Sequence, residues 1–454
     1  MTGRLARVRE LAAGTPAERN RYVDFLRALS IVAVVIGHWL AVAIVMVDGR
    51  IEGRHVLQVL PELQLATWIF QVMGVFFVVG GYANAASWTA AQHAGTGYGS
   101  WLASRGLRLL TPTTVFILIG AAVAAAARLA GLDAGLVRLG AWLIGISLWF
   151  LAVYLVVVAM TPVMLAAHRR GGLVVCLGLT ALTAAGDVAR LATSEVAWAA
   201  QNFVIVWLVA HQLGFAWRDG SLTRTRWRVG ALFGIGLVGL VMATTVGPYP
   251  VSMVAYPGAS LQNTSPPTLA LLALIVTQTG LLMLVAGHFR GWLDRPRVWA
   301  ATIAINGMIM SLFLWHMVPV VAAALLLYPT GIFPGFDVGS VEWFALRPAW
   351  LAVCGVLLAG LVAVFGRFER PPPNRPSPGS RRWSAAVAVA GAAAACLGIA
   401  QLTVTGLQGT GPLGLPITAL GTYAVGVLML AWVGHTSTVT SFGRGRLGKQ
   451  SAVE

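Results

Sequence analysis

Apolar residues come in runs of about twenty along the whole chain, separated by short polar segments; a run of that length is what a helix needs to cross a bilayer. Twelve spans are predicted, at roughly 25–47, 65–87, 109–130, 141–167, 173–192, 199–217, 229–246, 268–288, 299–327, 343–365, 384–404 and 415–434. Basic residues orient them. With the N-terminus inside, 25 of the 31 Lys and Arg residues fall in cytoplasmic segments. The remainder, Arg50, Arg54, Arg128, Arg138, Arg190 and Arg347, lie outside. Every second loop is therefore basic, as the positive-inside rule requires. The expected fold is an all-α polytopic membrane protein of 12 spans with both termini cytoplasmic.

Composition agrees. The 454 residues are 58% hydrophobic and 10% charged, with a mean hydropathy of +0.79, which excludes a soluble globular protein. A net charge of +16 would suit nucleic acid, but its placement in cytoplasmic segments directs it to anionic lipid and cytosolic ligands instead. Cys176, Cys354 and Cys396 lie inside spans at no metal-like spacing, so they read as small core residues and no metal site is expected. Met1–Asn20 lacks the apolar core and cleavage site of a removable signal peptide. The expected organisation is a cytoplasmic tail (1–24), a membrane domain (25–371), a proline-rich linker (372–383), an extra pair of spans (384–434) and a second cytoplasmic tail (435–454). The uncharged loop Gly247–Pro267 carries five prolines and suits a cap over a cavity on the outer side.

Polar residues inside apolar spans carry the candidate chemistry. Arg21–Arg27 runs into the apolar stretch Ala28–Val47, which contains His38. His38 stands eleven positions after Arg27, within about 20° of three full helical turns, so both lie on one helix face about 16 Å apart along the axis. Arg27 can snorkel to lipid phosphates while His38 bonds a neighbouring helix, or the pair can be functional, as intramembrane ionisable groups usually are. All fifteen acidic residues fall in loops or at span ends, which argues against a buried carboxylate relay. His316, about 25 Å along span nine, reaches the same outer level as His38. His211 falls nearer the cytoplasmic boundary and reads as structural or interfacial. A neutral imidazole takes a proton from a hydroxyl and returns it to a leaving group, which is the minimum for acyl transfer from a thioester to an alcohol. Acyl-CoA is the natural anionic donor. Arg105 and Arg108, at i and i+3 after a short hydrophilic loop, share a face that can grip its phosphates beside Arg27, unless they merely set topology.

Several motifs carry a family resemblance. They are Asp24-Phe25-Leu26-Arg27 followed by ten residues and His38; Gly74 to Tyr82, with Gly80 where a serine is usual; and Arg105 to Pro112. Further along come Trp149-Phe150-Leu151 with Tyr154 and Pro162; Ser311 to Met317, containing His316; and Arg367-Phe368-Glu369-Arg370-Pro371. In this order the chain resembles the acyltransferase-3 family of integral-membrane acyltransferases over roughly Arg21 to Pro371. The resemblance implies a ten-helix core followed here by two extra C-terminal transmembrane helices, in the plasma (inner) membrane. It implies O-acylation, by default O-acetylation, of a cell-envelope polysaccharide or glycolipid from cytosolic acyl-CoA, with acetyl-CoA the default co-substrate and no bound cofactor. His38 is then the catalytic base, with His316 a second catalytic imidazole or a core hydrogen-bond partner. Arg27, Arg105 and Arg108 form the donor site, and Asp24, Trp149, Tyr154 and Glu369 support it. Implied partners are acyl-CoA, the envelope acceptor and membrane lipids; a partner acyltransferase or export machinery stays open, and nucleic acid is excluded. A twelve-span small-molecule transporter and a lipid-linked-sugar glycosyltransferase remain as alternatives.

Overall fold

The computed structural model describes residues 14–15, 19–48, 50–369 and 382–447. The proline-rich linker and most of the N-terminal tail expected from the sequence lie outside them. Asn20 opens helix α1 (Arg21–Ala41) by accepting the Tyr22 and Val23 amides at 3.1 and 3.3 Å, and Asp24 adds a negative charge to its first turn. The helix stops at Ala41, not at 47 as expected. Val42–Val47 (β1) and Arg50–His55 (β2) pair antiparallel, from Val42↔His55 to Val47↔Arg50. The chain is otherwise helical as expected, and this short hairpin is its one departure among the described residues. Val and Ile lose rotamer freedom in a helix but sit well on a pleated surface, and Asp48, at φ 48°, takes the left-handed conformation at the end of β1. Ala43 packs with Val56 and Trp343, which roots the hairpin in the protein interior.

Short helical turns over 56–70 lead to α2 (Met73–His93), α3 (Tyr98–Leu129), α4 (Ala134–Gly145) and α5 (Leu148–Gly171). Next come α6 (Leu173–Thr193), α7 (Asn202–Arg218), α8 (Arg226–Thr245) and α9 (Leu269–Leu293). They are followed by α10 (Pro296–Asn306), α11 (Ile309–Trp315), α12 (Met317–Leu327) and α13 (Val341–Phe365), which ends in a tight turn, Gly366–Glu369. The last two are α14 (Arg382–Thr405) and α15 (Ile417–Leu447). Among the described residues eleven helical segments are long and apolar enough to cross a membrane, or twelve if α10 and α11 count as one bent span. The protein is a polytopic, multi-pass membrane protein.

Two expected spans change character. The expected ninth span (299–327) is three helices: α10 and α11 meet at a 58° bend, and α11 and α12 break at His316. Pro319 lacks the N–H that would bond the Trp315 carbonyl, which loosens the ladder there. The third span starts at Tyr98, eleven residues before the expected 109, so Arg105 and Arg108 sit within a helix and not at the end of a loop. Buried Trp101, Leu102 and Ala103 explain the early start.

The chain divides into two compact units. In the first (Met1–Ala83 and Met164–Ala359), α1 packs against α9, α10, α11 and α12. Tyr22, Val23, Leu26, Val75, Val79 and Leu293 form an apolar cluster at its N-terminal end. Helices α2 and α7 touch backbone to backbone: a Cβ on Gly81 would collide with the His211 carbonyl, and one on Gly214 with the Val78 carbonyl. Small residues let helices in lipid approach this closely. Gly81→Ala is expected to cost about 1–3 kcal/mol through overpacking, read as a lowered Tm of the purified protein in detergent. In the second unit (Asn84–Val163 and Gly360–Glu454), α3 packs against α4, α14, α15 and the Gly366–Glu369 turn. The Tyr423 hydroxyl meets Thr114 Oγ1 at 2.8 Å and donates to the Leu110 carbonyl at 3.1 Å, fixing α15 on α3.

One acidic residue departs from the expectation of loops and span ends. Asp187, inside α6, is 1% exposed. It accepts the Leu269 amide at 2.7 Å, the Tyr249 hydroxyl at 2.9 Å and Asn202 Nδ2 at 3.1 Å. The long uncharged loop is also sewn to residues 67–71: Met253 N donates to Thr67 Oγ1 at 2.8 Å, and Gln71 Nε2 to the Met253 carbonyl at 2.9 Å.

Candidate active site

Chemistry-bearing residues occur in both units, each set built by its own neighbours. In the first unit α1 carries Asp24, Arg27 and His38. Arg19 clamps the Asp24 carboxylate with Nε at 2.6 Å and Nη2 at 3.2 Å, while Asn306 Nδ2 donates to the Asp24 carbonyl at 2.8 Å and ties α1 to α10. Arg27 is half-buried and has no carboxylate at ion-pair distance among the described residues.

His38 meets His316. Their ring centroids are 5.0 Å apart with planes at 63°. His38 is half-buried and His316 fully buried. His38 Nδ1 bonds the Val34 carbonyl at 2.8 Å and His316 Nδ1 the Phe313 carbonyl at 2.6 Å. A carbonyl oxygen accepts, so each Nδ1 carries the proton and each Nε2 keeps a lone pair. His316 Nε2 is buried with no hydrogen-bond partner among the described residues. Two indoles hold the pair in register: Trp39 Nε1 donates to the His316 carbonyl at 2.7 Å, and Trp350 Nε1 to the Trp39 carbonyl at 3.1 Å. The first of these bonds is made to the residue at which α11 and α12 break, so the indole of α1 holds the break itself.

Two further residues belong to this region, and the sequence reading passed over both. His55 closes the hairpin; its Nδ1 accepts the Leu57 amide at 3.3 Å. Burial, and then the His38 imidazole beside it, lower its pKa to about 4, so His55 is neutral at physiological pH. Arg347 is 7% exposed, with its guanidinium over the Trp343 ring. Both looked like ordinary loop or topology residues, and nothing in their local sequence separates them from neighbours such as Arg50 and Arg54. His211 is fully buried in α7 with its ring edge-on to Phe215 at 4.7 Å.

In the second unit Arg105 and Arg108 lie one turn apart on α3. Ser87 Oγ accepts from Arg105 Nε at 3.0 Å and from Trp101 Nε1 at 3.1 Å, which fixes the Arg105 side chain. Arg108 is exposed. Glu369 is half-buried in the turn that packs against α3, the helix of both arginines. Tyr154 stacks on Phe150 at 5.4 Å, and Trp149 sits edge-on to the same ring at 6.2 Å. Among the described residues no group of three or more His, Cys, Asp or Glu side chains is placed to hold a metal ion.

A multi-pass helical protein with two imidazoles edge to face at a helix break has the build of a membrane-embedded enzyme. Its family follows from comparison with known proteins: the model of the acyltransferase-3 family, described as an acyltransferase domain, matches residues 20–368. The chain belongs to this family, and is a membrane acyltransferase. No curated protein and no solved structure matches it.

Proposed function

We propose that the protein is an O-acyltransferase of the plasma (inner) membrane. It takes an acyl group, acetyl by default, from cytosolic acyl-CoA and delivers it to a hydroxyl of a cell-envelope glycan or glycolipid. The observation that carries this reading is the His38–His316 pair, with both Nε2 atoms left as acceptors. Nε2 of His38 takes the proton of the acceptor hydroxyl as its oxygen attacks the thioester carbonyl carbon. The tetrahedral intermediate then collapses, the C–S bond breaks, and the imidazolium returns the proton to the departing thiolate. His316 is the second imidazole; its orientation, fixed by Trp39, keeps the His38 ring in place. Asp24, clamped by Arg19, supports the helix that bears the base. Both termini are cytoplasmic in this reading, on the side of Arg27 and of the donor.

The test is direct. Purified protein in nanodiscs transfers a labelled acetyl group from acetyl-CoA to envelope glycan or glycolipid, and a deletion strain loses one acyl increment from the same material by mass spectrometry. Absence of both sinks the reading. Arg105 and Arg108 are assigned to the donor phosphates, with Arg27 a third donor-side guanidinium and Glu369, Trp149 and Tyr154 in support. Arg105→Gln and Arg108→Gln are therefore each expected to raise KM for acetyl-CoA about 10-fold or more, the worth of one charge-assisted hydrogen bond, with kcat little changed. A fall in kcat at unchanged KM would remove them from the donor site.

A further inference from the structure

We propose that Arg347 binds an anionic group, a carboxylate or a phosphate, carried by the acyl acceptor; this rests on the acyltransferase reading above. Arg347 stands in the second turn of α13 and is 93% buried by its 7% exposure. Its guanidinium carbon lies 4.1 Å from the Trp343 ring centroid and 5.6 Å from that of Trp350. Nη1 makes one long contact, 3.4 Å, to the Val42 carbonyl, and the guanidinium also hydrogen-bonds the Tyr328 hydroxyl and faces the Cys354 thiol. Nε is buried with no hydrogen-bond partner, and no carboxylate lies at ion-pair distance, among the described residues.

A cation taken out of water without a counter-charge is expensive, and two indole faces offset that cost in part. A methionine would fill the same slot between the tryptophans without the penalty. What it cannot supply is a planar fork of donors, which matches carboxylate and phosphate oxygens. The surroundings also link this cation to the reacting centre. Trp350, on which Arg347 lies, bonds the Trp39 carbonyl, and Trp39 bonds the carbonyl of His316. Val42, whose carbonyl Nη1 approaches, follows His38 by four residues, about 6 Å of helical rise. The Arg347 fork thus meets the chain just past the end of the helix that carries the base.

The direction decides which substrate carries the anion. Arg347 and Arg27 lie on opposite sides of His38 along α1, so donor phosphates held near Arg27 cannot also be at Arg347. The acceptor, arriving from the hairpin end, is the substrate that meets it.

The experiment follows thermal unfolding of the full-length protein in detergent at constant ionic strength, titrated with glucuronate, glucose 6-phosphate or glucose. A saturable rise in Tm is expected with at least one charged sugar and none with glucose; the responding arm tells a carboxylate from a phosphate. Arg347→Gln is expected to raise the midpoint at least about 10-fold, and Arg347→Lys, which keeps the charge without the fork, by a smaller factor. No saturable shift with either anion, or an unchanged midpoint in Arg347→Gln, overturns the proposal. Should Arg347→Gln fail to accumulate, an unchanged midpoint in Arg347→Lys does the same. His38→Ala is expected to keep the anion response while losing acyl transfer. Transfer retained in His38→Ala overturns the catalytic reading alone; an absent anion response alongside wild-type transfer overturns this one alone.

Discussion

Replacing His38 with alanine is expected to lower acyl transfer by about 100- to 10,000-fold, the usual worth of a positioned general base, while the protein still accumulates and inserts. Structural cost is small because the half-buried ring makes one hydrogen bond, to a carbonyl of its own helix. Transfer of labelled acetyl from acetyl-CoA measures the loss. His316→Ala is expected to fall less, because its ring keeps the His38 ring in place. The double variant should be no slower than His38→Ala, since residues acting as a unit are not additive. Retention of more than about a tenth of the rate in His38→Ala would remove this imidazole from the chemistry.

Removing the Asp187 carboxylate is expected to be the most damaging single change to stability, about 3–5 kcal/mol for Asp187→Ala. Three donors converge on it from separate elements: Asn202 at the start of α7, Tyr249 in the long loop, and the first amide of α9. Alanine would take this acceptor from the Tyr249 hydroxyl and the Leu269 amide, and leave Asn202 Nδ2 with the Thr183 carbonyl at 3.2 Å as its remaining partner. Asp187→Asn keeps one oxygen and should lose clearly less. The Tm of the purified variants orders them, and a change in Asp187→Ala no larger than that of a surface substitution, about 0.5 kcal/mol, would mean that the tether is idle. Greater protease sensitivity of the loop 247–267 is the expected companion signal.

Much of the architecture was legible because hydrophobic length is a strong signal, and the alignment of Arg27 with His38 needed only helical periodicity. The meeting of His38 with His316 was foreshadowed by depth along two spans, although His316 reached that level through a bent and broken helix. What stayed hidden depended on competition between local rules. Asp48-Gly49 flanked by β-branched residues is a hairpin signal, yet the apolar count of Val42–Val47 concealed it inside a span. The early start of α3 was masked by polar residues that a helix carries beyond the hydrocarbon. Asp187 sat close enough to a span end to pass as surface, and only tertiary donors reveal that it is buried. Arg347 was one outer arginine among six, and its setting between two tryptophans could not be read from its neighbours in sequence.

The packing on α3 has a last consequence. Family similarity stops at residue 368, whereas the helix carrying Arg105 and Arg108 is held along its length by α14 and α15, with Tyr423 bonded to Thr114 and Leu110. Homology and cooperativity therefore end in different places. A shortened gene product that stops where recognisable kinship stops would strip α3 of its companions and leave two guanidiniums on an unsupported rod.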